Sequence, residues 1–140
     1  MNSSDMQHIP LAVPRCDKEM EEAALNALRN EHFVLGEDVY KFEEEFARYV
    51  GIEYAVSTNS GTIAMQISLL ALGITNSGRV ITTPFSFVAT ANVILHAGAT
   101  PVFADIDART CNIDPERIIR SITSRTRALL PVHLFGYPCE

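Results

Sequence analysis

Apolar residues recur along this chain in two periods, and the places where the period changes mark out its elements. Met20, Ala23, Ala24, Leu25 and Leu28 fall on one side of a helix that runs to about Asn30, with Asp17 placed to cap its start. Glu19 and Glu21 put negative charge into the first turn, where the helix dipole favours it. A second amphipathic helix is predicted over about Glu37–Val50, with Val39, Phe42, Phe46 and Val50 on one face and Gly51 as its stop. Ahead of both, Pro10 and Pro14 block regular structure, so the first 15 residues read as an extended arm. The link between the helices, H-F-V-L-G, is a loop with an apolar run, Phe33, Val34 and Leu35, which would be costly to leave in water.

From Tyr54 onward, short apolar runs alternate with helical stretches. Ala55–Ser57 is a predicted strand and Thr62–Leu72 a helix with the dense apolar set Ile63, Met65, Ile67, Leu69, Leu70 and Leu72. Strands follow at Arg79–Thr82, Pro101–Asp105 and Ala128–Val132, separated by helices at Phe87–His96 and from Asp114-Pro115 to about Ser121. Strand–helix alternation with short links implies right-handed crossovers and an α/β fold whose mainly parallel sheet is covered on both faces. Ligands of such sheets bind beyond the carboxyl ends of the strands. The polar turns Ser57–Gly61, Thr83–Ser86 and Asp105–Asp107, and the region of His133, fall there.

The first of these turns carries the clearest chemistry. In Y-A-V-S-T-N-S-G-T, a strand end, a small polar turn and a helix N-terminus follow one another. Free backbone N–H groups and the positive end of the helix dipole suit an anion, and Ser60 and Thr62 add hydroxyls. The plainer reading, that Ser60 or Thr62 only caps the helix, rests on the commonest use of these residues. Elsewhere signals are weaker. His133 has no nucleophile or orienting carboxylate near it in sequence, which favours a hydrogen-bonded structural histidine. Asp105 and Asp107 read as strand-end caps rather than an acid–base pair, and Glu43-Glu44-Glu45 as a solvated helix face.

Composition narrows the classes. A chain of 140 residues with 47% hydrophobic and 20% charged content suits a globular domain, and a net charge of −6 lacks the basic footprint of nucleic-acid binding. No apolar run approaches a membrane span, and the N-terminus lacks the pattern of a signal peptide. Cys16, Cys111 and Cys139 are odd in number and widely spaced, as expected of reduced thiols in a cytoplasmic protein; no metal site is expected.

Several segments resemble the N-terminal portion of the DegT/DnrJ/EryC1/StrS family of pyridoxal-phosphate (PLP)-dependent sugar aminotransferases. They are G-E-D-V-Y-K-F-E-E-E-F-A-R-Y-V-G (Gly36–Gly51), N-S-G-T-I-A-M (Asn59–Met65) and R-V-I-T-T-P-F-S-F-V-A-T-A-N-V (Arg79–Val93), then G-A-T-P-V-F-A-D-I-D (Gly98–Asp107) and P-V-H-L-F-G-Y-P (Pro131–Pro138). The resemblance implies part of a fold-type I large domain. It also implies that Ser60, Gly61 and Thr62 cradle the cofactor phosphate and that Phe87 stacks on the pyridine ring, with Phe85 as its competitor and core packing as the alternative for Phe87. It further implies a homodimer with a shared active site, the Phe33–Gly36 loop reaching toward the partner.

PLP transamination needs a lysine that holds the cofactor covalently and a carboxylate for the ring nitrogen. Lys18 and Lys41, the only lysines, lie in the two N-terminal helices and match no Schiff-base motif, so no catalytic residue is assigned here. The expectation is therefore one partial domain over residues 1–140: an arm and two helices to residue 51, then a four-stranded α/β part over 52–140, with the C-terminal remainder absent. The function expected of the whole is transfer of an amino group from an amino acid, commonly glutamate in the family, to a nucleotide-linked keto-sugar, these residues alone being inactive. The alternatives are a PLP-dependent nucleotide-sugar dehydratase of the same family and a non-catalytic remnant or regulatory module.

Overall fold

The computed structural model describes Pro10, residues 12–76 and residues 78–140. Most of the expected N-terminal arm, residues 1–9 and 11, lies outside the described residues; Pro10 and residues 12–17 carry no regular structure. The chain divides into two compact units, Met1–Ser57 and Thr58–Glu140.

The first unit holds two helices, α1 (Lys18–Asn30) and α2 (Glu37–Val50). Asp17 caps α1 as expected, its side chain accepting the Met20 N–H at 2.9 Å. Gly51, at φ +79, closes α2 in the left-handed conformation that glycine adopts without steric cost. The start of α2 was not legible in the sequence: Gly36 offers no side chain, and the carboxylate of Glu31, six residues upstream, accepts the Glu37 N–H at 2.8 Å. Gly36 is required there for space. A Cβ at this position would lie 2.7 Å from that carboxylate oxygen and 2.9 Å from the His32 carbonyl oxygen. Gly36→Ala is therefore expected to displace the Glu31 cap and lower stability by about 0.5–2 kcal/mol, the usual cost of losing a cap. Thermal unfolding checks this; an alanine variant as stable as the parent would mean the cap relocates freely.

The second unit contains α3 (Gly61–Ala71), β1 (Arg79–Thr82), α4 (Ala89–His96), β2 (Thr100–Phe103), α5 (Pro115–Ser121) and β3 (Thr126–Leu130), then a 3₁₀ turn at Leu134–Gly136. The strands form a parallel sheet in the order β2-β1-β3. The chain steps to one side of β1 through α4 and then crosses back past it through α5. Right-handed crossovers place helices reached in opposite directions on opposite faces. Accordingly Val80 packs with Leu69 of α3 and with Val93 and Ile94 of α4, whereas its neighbour Ile81 packs with Ala104, Ile113 and Ile118 on the other side. Val80, Ile81, Val93 and Ile94 are fully buried, each stabilising the unit by about 1.5–3 kcal/mol.

Three strands form among the described residues where four were predicted. Ala55–Ser57 is not a strand: it has no ladder partner, and the Ser57 N–H donates instead to the Glu43 carboxylate at 2.7 Å. The last strand also sits two residues earlier than the predicted Ala128–Val132. Its ladder with β1 begins at Thr126, whose polar side chain hid it, and ends at Leu130, because Pro131 has no N–H to continue it. The predicted helix Phe87–His96 starts at Ala89, since the Thr90 and Ala91 N–H groups bond three residues back, giving a tighter first turn.

Candidate functional site

The α3 C-terminus leads into the amino end of the sheet, where Leu72, Gly73, Gly78 and Arg127 line one hollow. At 11 residues α3 is about 16 Å long, which carries its N-terminus toward the carboxyl ends of the strands. The turns after β1 and β3 lie at that same edge, so Ser60, Gly61 and Thr62 share an edge of the unit with Phe85, Phe87 and His133.

Ser60 is the N-cap of α3: its backbone is extended and its Oγ accepts the Ile63 N–H at 3.3 Å. Capping leaves the hydroxyl proton free to donate. The Gly61 and Thr62 N–H groups have no acceptor among the described residues, as the first turn of a helix requires unless something else supplies one. The position of a Gly61 Cβ faces open space, with nothing within 4 Å. The first turn of α3 contains no carboxylate, whereas α1 and α2 each have two and α5 has one. The positive end of this helix dipole is thus uncompensated by its own residues.

The turn after β1 is held from beneath. Buried Thr82 donates its hydroxyl to the Leu130 carbonyl at 2.8 Å, and buried Thr83 accepts the Phe85 N–H on its Oγ1 at 3.1 Å. Phe87 is 77% exposed and Phe85 49% exposed, so neither ring is consumed by the core of this chain.

His133 has a structural partner, its Nδ1 accepting the Cys139 N–H at 3.0 Å. Asp105 accepts the N–H of the next residue, Ile106, as a strand-end cap. Asp107 accepts from the Arg109 guanidinium at 2.9 and 3.3 Å and from its backbone N–H at 2.7 Å. Those bonds hold the Asp107 carboxyl down to about 2, so at neutral pH it has no proton to give as a general acid. Glu43 departs from the solvated face expected of it: it binds both the N–H and the hydroxyl of Ser57 at 2.7 Å, and the backbone bond, followed by the hydroxyl, lowers its pKa.

One polar residue escaped the sequence reading. Asn112 is 3% exposed; its Nδ2 donates to the Tyr137 carbonyl at 2.8 Å and its Oδ1 accepts the Leu134 N–H at 3.0 Å. An asparagine in a polar turn, as in T-C-N-I-D, gives no sign in sequence that it will be buried against a segment 22 residues away.

Residues 14–140 match the DegT/DnrJ/EryC1/StrS aminotransferase family. The chain belongs to that family. Among DegT/DnrJ/EryC1/StrS relatives, it is 44% identical over 132 residues to the spore coat polysaccharide biosynthesis protein SpsC of Bacillus subtilis, covering 94% of this chain and 34% of that one. It is 37% identical over 138 residues to the GDP-perosamine synthase of Caulobacter vibrioides, covering 98% and 37% of the two chains. Its fold superposes on the crystal structure of NtdA from Bacillus subtilis with bound cofactor PMP, at a TM-score of 0.77 and 38% identity, covering 86% of this chain and 28% of that one. The chain thus spans about a third of the length of the curated relatives it matches. Membership in the DegT/DnrJ/EryC1/StrS family agrees with the parallel α/β architecture, with helices on both faces of the sheet. No helix among the described residues is long and apolar enough to cross a membrane.

Proposed function

We propose that this chain is the cofactor-phosphate-binding part of a PLP-dependent aminotransferase that moves an amino group from an amino-acid donor, glutamate on the family resemblance, to a nucleotide-linked keto-sugar. The observation that carries the reading is the α3 N-terminus: two N–H groups with no acceptor among the described residues, two hydroxyls able to donate, open space and no carboxylate of its own. This donor set fits a phosphate dianion.

In this reading Ser60, Gly61 and Thr62 would hold the phosphate, and the exposed Phe87 ring would cover the pyridine ring and exclude water from it. Bound PLP supplies an electron sink for bond breaking at the amino-bearing carbon. Thr82 and Thr83 keep the Phe85–Phe87 turn in place from below. Lys18 and Lys41 sit in α1 and α2, and Lys41 faces Asp38 at 3.4 Å, so the amine that anchors the cofactor covalently is not assigned to either. These 140 residues then bind the phosphate end without turning substrate over. The test compares PLP with pyridoxal, which lacks the phosphate, by equilibrium dialysis. PLP is expected to bind more tightly by at least about tenfold, the value of one charge-assisted hydrogen bond or more. Equal binding of the two would refute the phosphate assignment.

The same reading makes the protein a homodimer. Phe33, Val34 and Leu35 are 86%, 79% and 67% exposed, which disfavours the alternative that they fold back as a staple between α1 and α2. Covering them would contribute about 1.5–3 kcal/mol apiece. Sedimentation is expected to give a dimer that Phe33→Asp with Val34→Asp dissociates; a monomer at all concentrations contradicts it.

A further inference from the structure

The buried Asn112 side chain bridges two loops that both follow strands at the carboxyl edge. The loop after β2 is drawn tight by the Asp107–Arg109 contacts and by the Cys111 N–H on the Asp107 carbonyl at 2.8 Å. Cys111 there adopts φ +59, a conformation that costs a non-glycine residue energy and persists only where surrounding contacts impose it. Immediately after that residue, Asn112 is buried and spends both ends of its amide on the segment after β3, at Leu134 and Tyr137. Between those two contacts Phe135 is also left-handed, at φ +53, and 95% exposed, so nothing of its own side chain holds the turn. The segment is closed on its other side by Cys139. Its N–H donates to His133 Nδ1 at 3.0 Å and its thiol to the Val132 carbonyl at 3.2 Å. A ring nitrogen that accepts a hydrogen bond carries no proton, so neutral His133 must carry its proton on Nε2.

We propose that Asn112 is a positioning residue: its amide sets the 133–137 turn, and that turn holds His133 in a single tautomer whose Nε2–H is presented as a hydrogen-bond donor at the carboxyl edge of the sheet. No other side chain among the described residues bonds the Leu134 N–H or the Tyr137 carbonyl. The acceptor it would meet is an oxygen of a ligand bound at that edge. The contact that sets the tautomer, Cys139 N–H on His133 Nδ1, involves no cofactor, so the tautomer stands apart from the cofactor reading.

The test is long-range proton–nitrogen NMR of the ¹⁵N-labelled chain near pH 8, where histidine rings are neutral, with backbone amide exchange measured on the same sample. In the parent chain His133 is expected to show an unprotonated Nδ1 and a protonated Nε2, with a protected Leu134 amide. In Asn112→Leu the ring is expected to average between tautomers and the Leu134 amide to exchange about 10-fold faster. Asn112→Asp keeps an acceptor for Leu134 but sets an oxygen against the Tyr137 carbonyl. It is expected to retain part of the protection and lose the single tautomer. A protonated Nδ1 or an unprotected Leu134 amide in the parent chain overturns the proposal without any variant. So does Asn112→Leu if it folds and keeps both signatures. None of these readouts uses a cofactor, so they stand or fall apart from the dialysis comparison of PLP with pyridoxal.

Discussion

Ser60→Ala combined with Thr62→Ala is expected to weaken PLP binding on the order of a hundred- to ten-thousand-fold. In the proposed function each hydroxyl donates to a doubly charged phosphate; such charge-assisted bonds contribute about 1.5–3 kcal/mol each, so losing two would remove about 3–6 kcal/mol. The two residues differ in one useful respect. Ser60 also caps α3, and its loss alone costs the helix about 0.5–2 kcal/mol. Thr62 has no capping bond, so Thr62→Ala should weaken binding with little effect on thermal unfolding. Equilibrium dialysis, with circular dichroism as the control on folding, separates the two effects. Unchanged PLP retention in a folded double variant would remove the phosphate from this turn.

The second large effect lies in the core. Ile81 is fully buried on the central strand, packed against Ala104, Ile113 and Ile118. Ile81→Ala is expected to cost about 2–5 kcal/mol, because the transfer energy of the lost methyl groups adds to that of the cavity they leave. For a chain of this size that corresponds to a fall in Tm of roughly 6–20 °C. Ile81→Val should cost about 0.5–1.5 kcal/mol. A calorimetric scan of the two variants decides it. An alanine variant within a degree or two of the parent would mean that this face collapses around the gap, so that the packing seen at Ile81 does not determine stability.

The local elements were legible because their causes are local. Asp17, Ser60 and Asp114 cap helices by reaching backbone groups two or three residues away, and Gly51 ends α2 by a conformation open to it in any context. The alternation of strand and helix was enough to imply a parallel sheet, since parallel neighbours need crossovers. The turn at Ser60–Thr62 was readable as a helix start for the same reason: the chemistry of a helix N-terminus with small polar residues lies in the backbone. What sequence could not supply was decided by partners distant along the chain. Ala55–Ser57 has strand composition, yet a strand exists only where another pairs with it, and Glu43 takes the Ser57 N–H instead. Glu31 caps α2 from six residues upstream, and Asn112 reaches across 22 residues to hold the turn that carries His133. A hydrogen bond between residues brought together by folding leaves no period and no motif, because its geometry comes from the packing of elements and not from the spacing of residues.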